Sequence, residues 1–445
     1  MLTPDDYGCI GLIAIFITVS NTLVDGGFGS ALIQKKDVTI EDYSTIYWWN
    51  LLVAIILYVL LVLSAPVIST FYRTPTLTPL LRVLGIVLIF NSLNIVPTYR
   101  LRKKLDFKKI AQISLISSTF ASCVAIIMAY KGFGVWSLVI QQVLATFIST
   151  ILFVFYSKWM PKFIFSINGF LYMFNFGGYI LVSNVINTFC NNVQGLLIGR
   201  YFSPSIMGYY TQARKLEEIA SHSFSNVIEQ VSYPILSKFQ DDNMAMQSVL
   251  KKLISVLTYI MFPLMSIIIL LAEPIVLILY GEKWLPSVPY LKILCIAGIA
   301  ICIQGIYYYA VASKGKSKDL FLWTIIKRVL GLLAIVIGMK IWSINGLLWG
   351  CVLSSWFIVF TNMYLVNKHI NYSILSQLKV IFPSLILSII SYIVVYNIGE
   401  LYTADLFLTT LISLFSYIFV YILLSIMFRI KALDLFKEVV RTFKK

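Results

Sequence analysis

The residues that could do chemistry in this chain are the ionisable ones that interrupt long apolar runs. Between 207 and 237, Arg214, Glu218, His222, Asn226 and Gln230 recur at intervals of four. On a helix they share one face, and Glu217 and Glu229 flank it. Asp25 stands in VDGGFGSAL, and Arg82, Lys292, Lys327 and Arg328 stand inside other apolar stretches. A charge at a bilayer centre costs about 2.5–3.5 kcal/mol on insertion scales, so each should look into water or at a partner. A carboxylate there can alternate between charged and neutral forms and so carry a proton or hold sodium. Simpler readings stand beside these. The 207–237 face fits an amphipathic helix with i,i+4 pairs near an interface. Asp25 fits a cap on a helix broken at Gly26, Gly27 and Gly29. Arg82 and Lys292 lie one turn into their helices, where snorkelling to headgroups suffices.

The elements that must position these groups are membrane spans. Of 445 residues, 59% are hydrophobic and 12% charged, against about 25% charged in soluble domains. Apolar runs of spanning length recur throughout, and the short alternating segments of a β-barrel do not appear. Thirteen spans are expected: 8–32, 44–71, 79–98, 110–130, 134–156, 171–199, 207–237, 253–280, 287–312, 320–339, 344–366, 380–398 and 406–428. The mixed stretch 157–170, with Lys158, Trp159 and Lys162, suits an interfacial linker. The connections fall into two alternating sets. One set, with the C-terminal tail, holds 24 of the 35 basic residues and the other holds five. That asymmetry puts the first set, including the run RLRKKLDFKK and the tail, in the cytoplasm. The net charge of +16 is thus mostly topology, and no nucleic-acid partner is expected. The six cysteines sit in apolar runs without CxxC spacing. Exterior connections are short and carry no carboxylate pair or DxD-type metal motif, so an enzyme is not expected and no cofactor or metal is called for. The tyrosines of IYYYA, 306–310, could stack on sugars, but they also fit a membrane belt.

The chain repeats itself. LTPDDYG (2–8) matches FSPSIMG (202–208), and APVISTFY (65–72) matches AEPIVLILY (272–280). LLRVLGI (80–86) then matches YLKILCI (290–296), setting Arg82 on Lys292, and GFGVWSL (132–138) matches INGLLWG (344–350). The order is kept. Asp25 falls on Glu229 in this alignment, one carboxylate from each repeat. The expected architecture is therefore all-α and polytopic: two parallel-repeat six-helix lobes, the first short by one helix, plus two C-terminal helices. The divisions are an N-terminal lobe of five spans (1–156), a linker (157–170), a C-terminal lobe of six (171–367), two extra helices (368–428) and a basic tail (429–445). The helix missing from the first lobe is the counterpart of 171–199 and would precede Leu2. Parallel repeats of this kind mark transporters, with the site between lobes near the midplane.

The stretches LTPDDYGCIGLIAIF, VDGGFGSALIQKKD and QGLLIGRYFSPSIMGYYTQARKL resemble the Wzx-type polysaccharide flippases of the multidrug/oligosaccharidyl-lipid/polysaccharide export superfamily. The chain has Gln194 where that family often has Asp before LLIG. The resemblance implies alternating access around a central cavity. It implies carriage of an undecaprenyl-diphosphate-linked oligosaccharide between leaflets of the bacterial inner (plasma) membrane, with the C-terminus cytoplasmic. Arg82, Arg214, His222, Asn226, Lys292, Lys327 and Arg328 are then the candidates to hold the diphosphate and sugars, with arginine favoured for bidentate phosphate contact. Asp25, Glu218 and Glu229 are the candidates for ion coupling. The implied partners are the lipid-linked oligosaccharide, membrane lipids and, by contact, a glycan polymerase or glycosyltransferases. A drug or metabolite antiporter and a lipid II flippase are alternatives on the same fold, and a membrane glycan polymerase or ligase a more distant one.

Overall fold

The computed structural model describes residues 2–35, 38–399, 406–430 and 432–435. Within them, the side chains of 30, 33, 34, 168, 175, 176, 179, 222, 224, 226–231, 234, 317 and 318 are not described. Most of the basic tail expected at 429–445 lies outside the described residues. The described chain is all-α and divides into two compact units, Met1–Gly208 and Tyr209–Lys445.

The first unit contains α1 (Pro4–Asp25), α2 (Phe28–Gln34), α3 (Ile40–Phe71), α4 (Leu77–Leu84), α5 (Ile86–Lys103), α6 (Phe107–Tyr130), α7 (Val135–Ser157) and α8 (Ile167–Tyr201). It also holds the first turn of α9 (Pro204–Ser237). Local chemistry fixes the helix starts. Thr3 and Asp6 exchange side-chain-to-backbone hydrogen bonds around the N-terminus of α1, with Pro4 in its first turn, a capping box that satisfies otherwise orphaned N–H groups. Thr39 and Asp42 do the same for α3. α1 ends where Gly26 and Gly27 both turn left-handed, at φ 61° and 70°, a conformation open to glycine at no steric cost. α1 packs against α3, α5, α7 and α8, and α2 against α5 and α8. By repeat, 171–199 belongs to the second lobe; by packing, α8 lies with the first unit. The two divisions of the chain are different.

The second unit holds the rest of α9 and then α10 (Asn243–Leu270), α11 (Ala272–Tyr280), a 3-10 turn (Glu282–Ser287), α12 (Val288–Ser313), α13 (Ser317–Ile370), α14 (Ile374–Gly399) and α15 (Leu406–Met427). α12 lies against α10 and α13, and α10 against α14. Tyr259, Leu387, Val395, Tyr417 and Tyr421 form a satellite core, in which Tyr417 and Ser388 share hydroxyl hydrogen bonds.

The thirteen expected spans are helical, with 8–32, 79–98 and 253–280 each interrupted by a turn, at 26–27, 85 and 271. Among the described residues, ten helical stretches are long and apolar enough to cross a membrane by length and composition. α13 bends at Trp342 and Ser343 into two, and α8 and α9 supply the others. Outward residues such as Leu63, Val67, Leu115 and Ile126 are apolar and exposed, as a lipid-facing surface requires.

The helix order repeats as well: α3 with α10 and α11, α4 and α5 with the 3-10 turn and α12, α6 with the first half of α13, α7 with the second half. One register differs from the sequence alignment. Gly134, just before α7, has φ 52° and ψ −132°; Ser343, before the second half of α13, has φ 57° and ψ −136°. These two residues make the same turn, so Gly134 corresponds to Ser343 and not, as letter matching has it, to Gly346. Gly346 instead meets Gly338 backbone to backbone across the bend. A non-glycine residue in that region stores about 1–3 kcal/mol, partly offset by the entropy glycine loses on folding. Ser343→Gly is therefore expected to stabilise the protein by about 1 kcal/mol, read as a raised melting temperature in detergent.

Candidate functional site

Three clusters of functional side chains emerge. The first is built by the repeated phrase itself. Ser203 caps α9 as Thr3 caps α1, and each is followed by proline. Within the first unit the two helix starts cross reciprocally. A Cβ placed on Gly8 would collide with the Pro204 carbonyl, and one placed on Gly208 with the Pro4 carbonyl. The two contacts are related by the repeat offset of 200, as is the pair that flanks them: Ser205 Oγ donates to Asp5 Oδ1 at 2.6 Å. Glycine at both crossings is needed because backbone meets backbone.

The second cluster surrounds the break after α1. Asp25 is half-buried beside the Gly27 backbone and the Tyr99 hydroxyl, with the Arg102 guanidinium nearby. Arg102 lies 5.1 Å from the Tyr99 ring centre. Gly27 abuts the Gly177 carbonyl of α8, and Gly29 abuts the Tyr99 ring. Asp25 thus sits at the break between α1 and α2 with a cation nearby. Next to it, Lys103 Nζ donates to the Lys35 carbonyl at 2.6 Å, and Lys35 Nζ pairs with Asp42 at 2.6 Å. Arg100 packs over Tyr43 and Trp159, at 5.3 and 5.4 Å. The basic run of 100–109 is thus more than a topology signal, since three of its cations are built into the fold. Trp159 is buried in that core.

The third cluster lies in the second unit. Arg214 Nε donates to Glu218 Oε1 at 2.6 Å and its Nη1 to Tyr210 Oη at 3.0 Å, so the four-residue spacing does produce a paired face. Glu217, one residue away, points elsewhere: it is 4% exposed and pressed against Gly298 of α12. Lys327 is buried in the seam between α13 and α12, its Nζ donating to Asn362 Oδ1, while Asn362 Nδ2 donates to the Gln304 carbonyl at 3.1 Å. Arg328 beside it is half-buried. Arg82 is exposed on α4 and Lys292 half-buried near the start of α12, and neither forms an ion pair among the described residues. The side chains of His222, Asn226 and Glu229 lie outside those described. Of IYYYA, Tyr307 is fully buried and Tyr308 exposed. Glu217, Tyr99, Arg102 and Asn362 were not singled out as site residues from sequence. The available signals were a polar residue in an apolar run for Asn362 and nearness to Asp25's glycines for none of the others.

Comparison with known proteins fits this geometry. Residues 1–289 match the family model described as polysaccharide biosynthesis protein. The chain is 30% identical over 303 residues to the teichuronic acid biosynthesis protein TuaB of Bacillus subtilis, a match covering 68% of this chain and 63% of TuaB. It is 24% identical over 338 residues to the lipopolysaccharide biosynthesis protein WzxC of Escherichia coli, covering 75% of this chain and 68% of WzxC. The chain thus spans a little under two thirds of the length of TuaB. Among solved structures, the lipid II flippase MurJ in an inward closed conformation superposes with a TM-score of 0.77 at 17% identity, over 96% of this chain and 93% of that one. The fold is therefore that of this transporter class. With matching sequence, repeated helix order and transporter fold all in hand, the chain belongs to the polysaccharide biosynthesis protein family.

Proposed function

We propose that this protein is a flippase that carries an oligosaccharide linked to undecaprenyl diphosphate from the inner to the outer leaflet of the bacterial plasma membrane, by alternating access coupled to an ion. Family membership supports the cargo class, and TuaB and WzxC are named for polysaccharide synthesis. The observation that carries the mechanism is the reciprocal Pro–Gly crossing. A repeat whose two starts meet through paired glycines has one face that can close and part as a unit. By the positive-inside rule that face is exterior.

No covalent step is needed. The cargo's diphosphate must leave headgroup water and cross about 30 Å of hydrocarbon while the prenyl tail stays in lipid. Buried or half-buried cations lower that cost through charge-assisted hydrogen bonds. Arg214, Lys327 and Arg328 are the cations best placed inside spans to do so in the second unit, with His222 and Asn226 following Arg214 at multiples of four residues in the sequence. Arg82 and Lys292, near helix ends, suit capture at the membrane surface. Asp25 lies near Tyr99 and the Arg102 charge, and Glu218 is held by Arg214. A carboxylate with a tethered cation can exchange that partner for an incoming proton or sodium ion as its helix moves. Contact with a glycan polymerase or glycosyltransferases belongs to the same reading.

The test is leaflet translocation in liposomes holding the purified chain. Three cargoes are offered: a prenyl-diphosphate oligosaccharide, lipid II and a lipophilic cation. Movement of the first is expected. Movement of the cation alone would assign an antiporter instead, and movement of lipid II alone would keep the flippase and change the cargo. Asp25→Asn is expected to keep the fold, since the amide has the shape of the carboxylate and needs no charge partner, and to lose ion-dependent translocation.

A further inference from the structure

Glu217 is a buried acid that the reading above leaves unused. It shares a stripe of α9 with Ser221 and Ser225, each four residues apart, and this stripe faces α12. Ser225 Oγ donates to Cys302 Sγ at 3.3 Å, and Cys302 Sγ to the Ser221 carbonyl at 3.4 Å. Opposite the carboxyl stands Gly298, where a Cβ would overlap Glu217 Oε1. The absence of a side chain at 298 makes a niche the size of a carboxyl group. Glu217 Oε1 and Ser221 Oγ, both buried, stand beside one another there, and neither has a hydrogen bond of standard geometry to any described residue.

The charges around the niche decide its state. On α9 itself the neighbours are Arg214, already bound to Glu218 at 2.6 Å, and Glu218, a like charge. From α12 come only the thiols of Cys295 and Cys302, both buried. From α10 comes the thioether of Met265. No cation reaches Glu217 from α10 or α12 among the described residues. An ionised carboxylate left so would bear a desolvation cost of several kcal/mol, which a group avoids by staying neutral. The niche also lacks the oxygen ligands a sodium ion needs, offering one carboxyl, one hydroxyl and sulfur.

We propose that Glu217 is a proton-binding site of the second unit, neutral while α9 lies on α12 and ionised, with release of its proton, when that seam admits water. The proposal rests on the flippase reading for its use in transport, but the site itself does not. Proton binding costs no covalent change beyond COOH giving COO⁻ and H⁺.

Two measurements test it. The first needs no cargo. The infrared difference spectrum between the wild-type chain and Glu217→Gln at neutral pH is expected to contain the C=O stretch of a protonated carboxyl; absence of that band overturns the proposal. The second places wild type, Glu217→Gln and Glu217→Asp in liposomes under a proton gradient. Glu217→Gln fills the niche as the neutral acid does, so it is expected to fold with undiminished thermal stability and to lose the response of translocation to the gradient. Glu217→Asp is expected to keep a reduced response. If Glu217→Gln responds to the gradient as wild type does, Glu217 only fills space and the proposal fails. A chain that shows the band but moves no prenyl diphosphate would refute the cargo and leave the proton site standing.

Discussion

Alanine at Gly8 or Gly208 is expected to hold the two repeat starts apart and to stop translocation. The contact at each is with a main-chain carbonyl, Pro204 at Gly8 and Pro4 at Gly208. A flexible side chain could swing aside from a new methyl group; a carbonyl in a helix start cannot without moving its helix. Overpacking of a tight contact costs about 1–3 kcal/mol. Applied to one of two conformations, that penalty shifts their ratio by about 5- to 150-fold. The two sites are neighbours in one contact, so their effects should not add: once Gly8→Ala has parted the helices, Gly208→Ala finds room. Two readouts separate this from misfolding. Translocation should fall, while cysteines placed at 5 and 205, whose side chains meet at the exposed edge of the crossing, should cross-link more slowly, because the two helix starts have moved apart. Unchanged cross-linking with lost transport would place the defect elsewhere.

Lys327→Met separates function from stability in the opposite way. Lys327 is 4% exposed, and the described partner of its ammonium is the neutral amide of Asn362. Burying an ammonium costs several kcal/mol, and replacing buried ions by apolar groups of similar volume is often neutral or stabilising by about 1–4 kcal/mol. Methionine matches the length of the lysine stem and removes that cost, at the loss of one hydrogen bond to Asn362. The melting temperature should hold or rise. Translocation should fall by about tenfold or more, the scale of one charge-assisted hydrogen bond of roughly 1.5–3 kcal/mol withdrawn from the diphosphate. A variant that loses stability and transport in proportion would make Lys327 a structural strut. One that loses neither would remove it from the site.

Much of the fold was legible because a bilayer imposes so strong a rule. Apolar length marks the spans, so α1 falls on the expected 8–32, although capping at Thr3-Pro4 starts it earlier and it breaks at Gly26-Gly27, where the glycines permit a break. The repeat was legible for the same reason, except where backbone geometry is kept and the residue type is not: Ser343 makes the turn that Gly134 makes, and letter matching slid three residues to find another glycine. Which face of a span looks inward was harder to read. In lipid both surroundings are apolar, so periodicity identifies stripes without saying which one is buried. On α9 the four-residue spacing found the Arg214–Glu218 stripe, while Glu217 on the neighbouring stripe took the protein interior. Partners distant in sequence were the least legible. Tyr99 and Arg102 reach Asp25, and Arg100 covers Trp159, through α5 crossing beneath α2; a basic run read by itself says only cytoplasm. The packing of α8 on the first unit is of the same kind, since its close approach depends on Gly177 meeting Gly27.

The most direct test of alternating access is to lock the crossing and ask whether transport stops. Cysteines would replace Asp5 and Ser205, whose side chains meet at 2.6 Å, in a background with the six native cysteines replaced. Oxidation in liposomes should join α1 to α9 at their starts. Translocation of the prenyl-diphosphate oligosaccharide is predicted to stop on oxidation and to return on reduction, with each single-cysteine variant unaffected. Undiminished translocation by the fully cross-linked protein would contradict the mechanism, for the cargo would then be crossing without the two repeat starts ever parting.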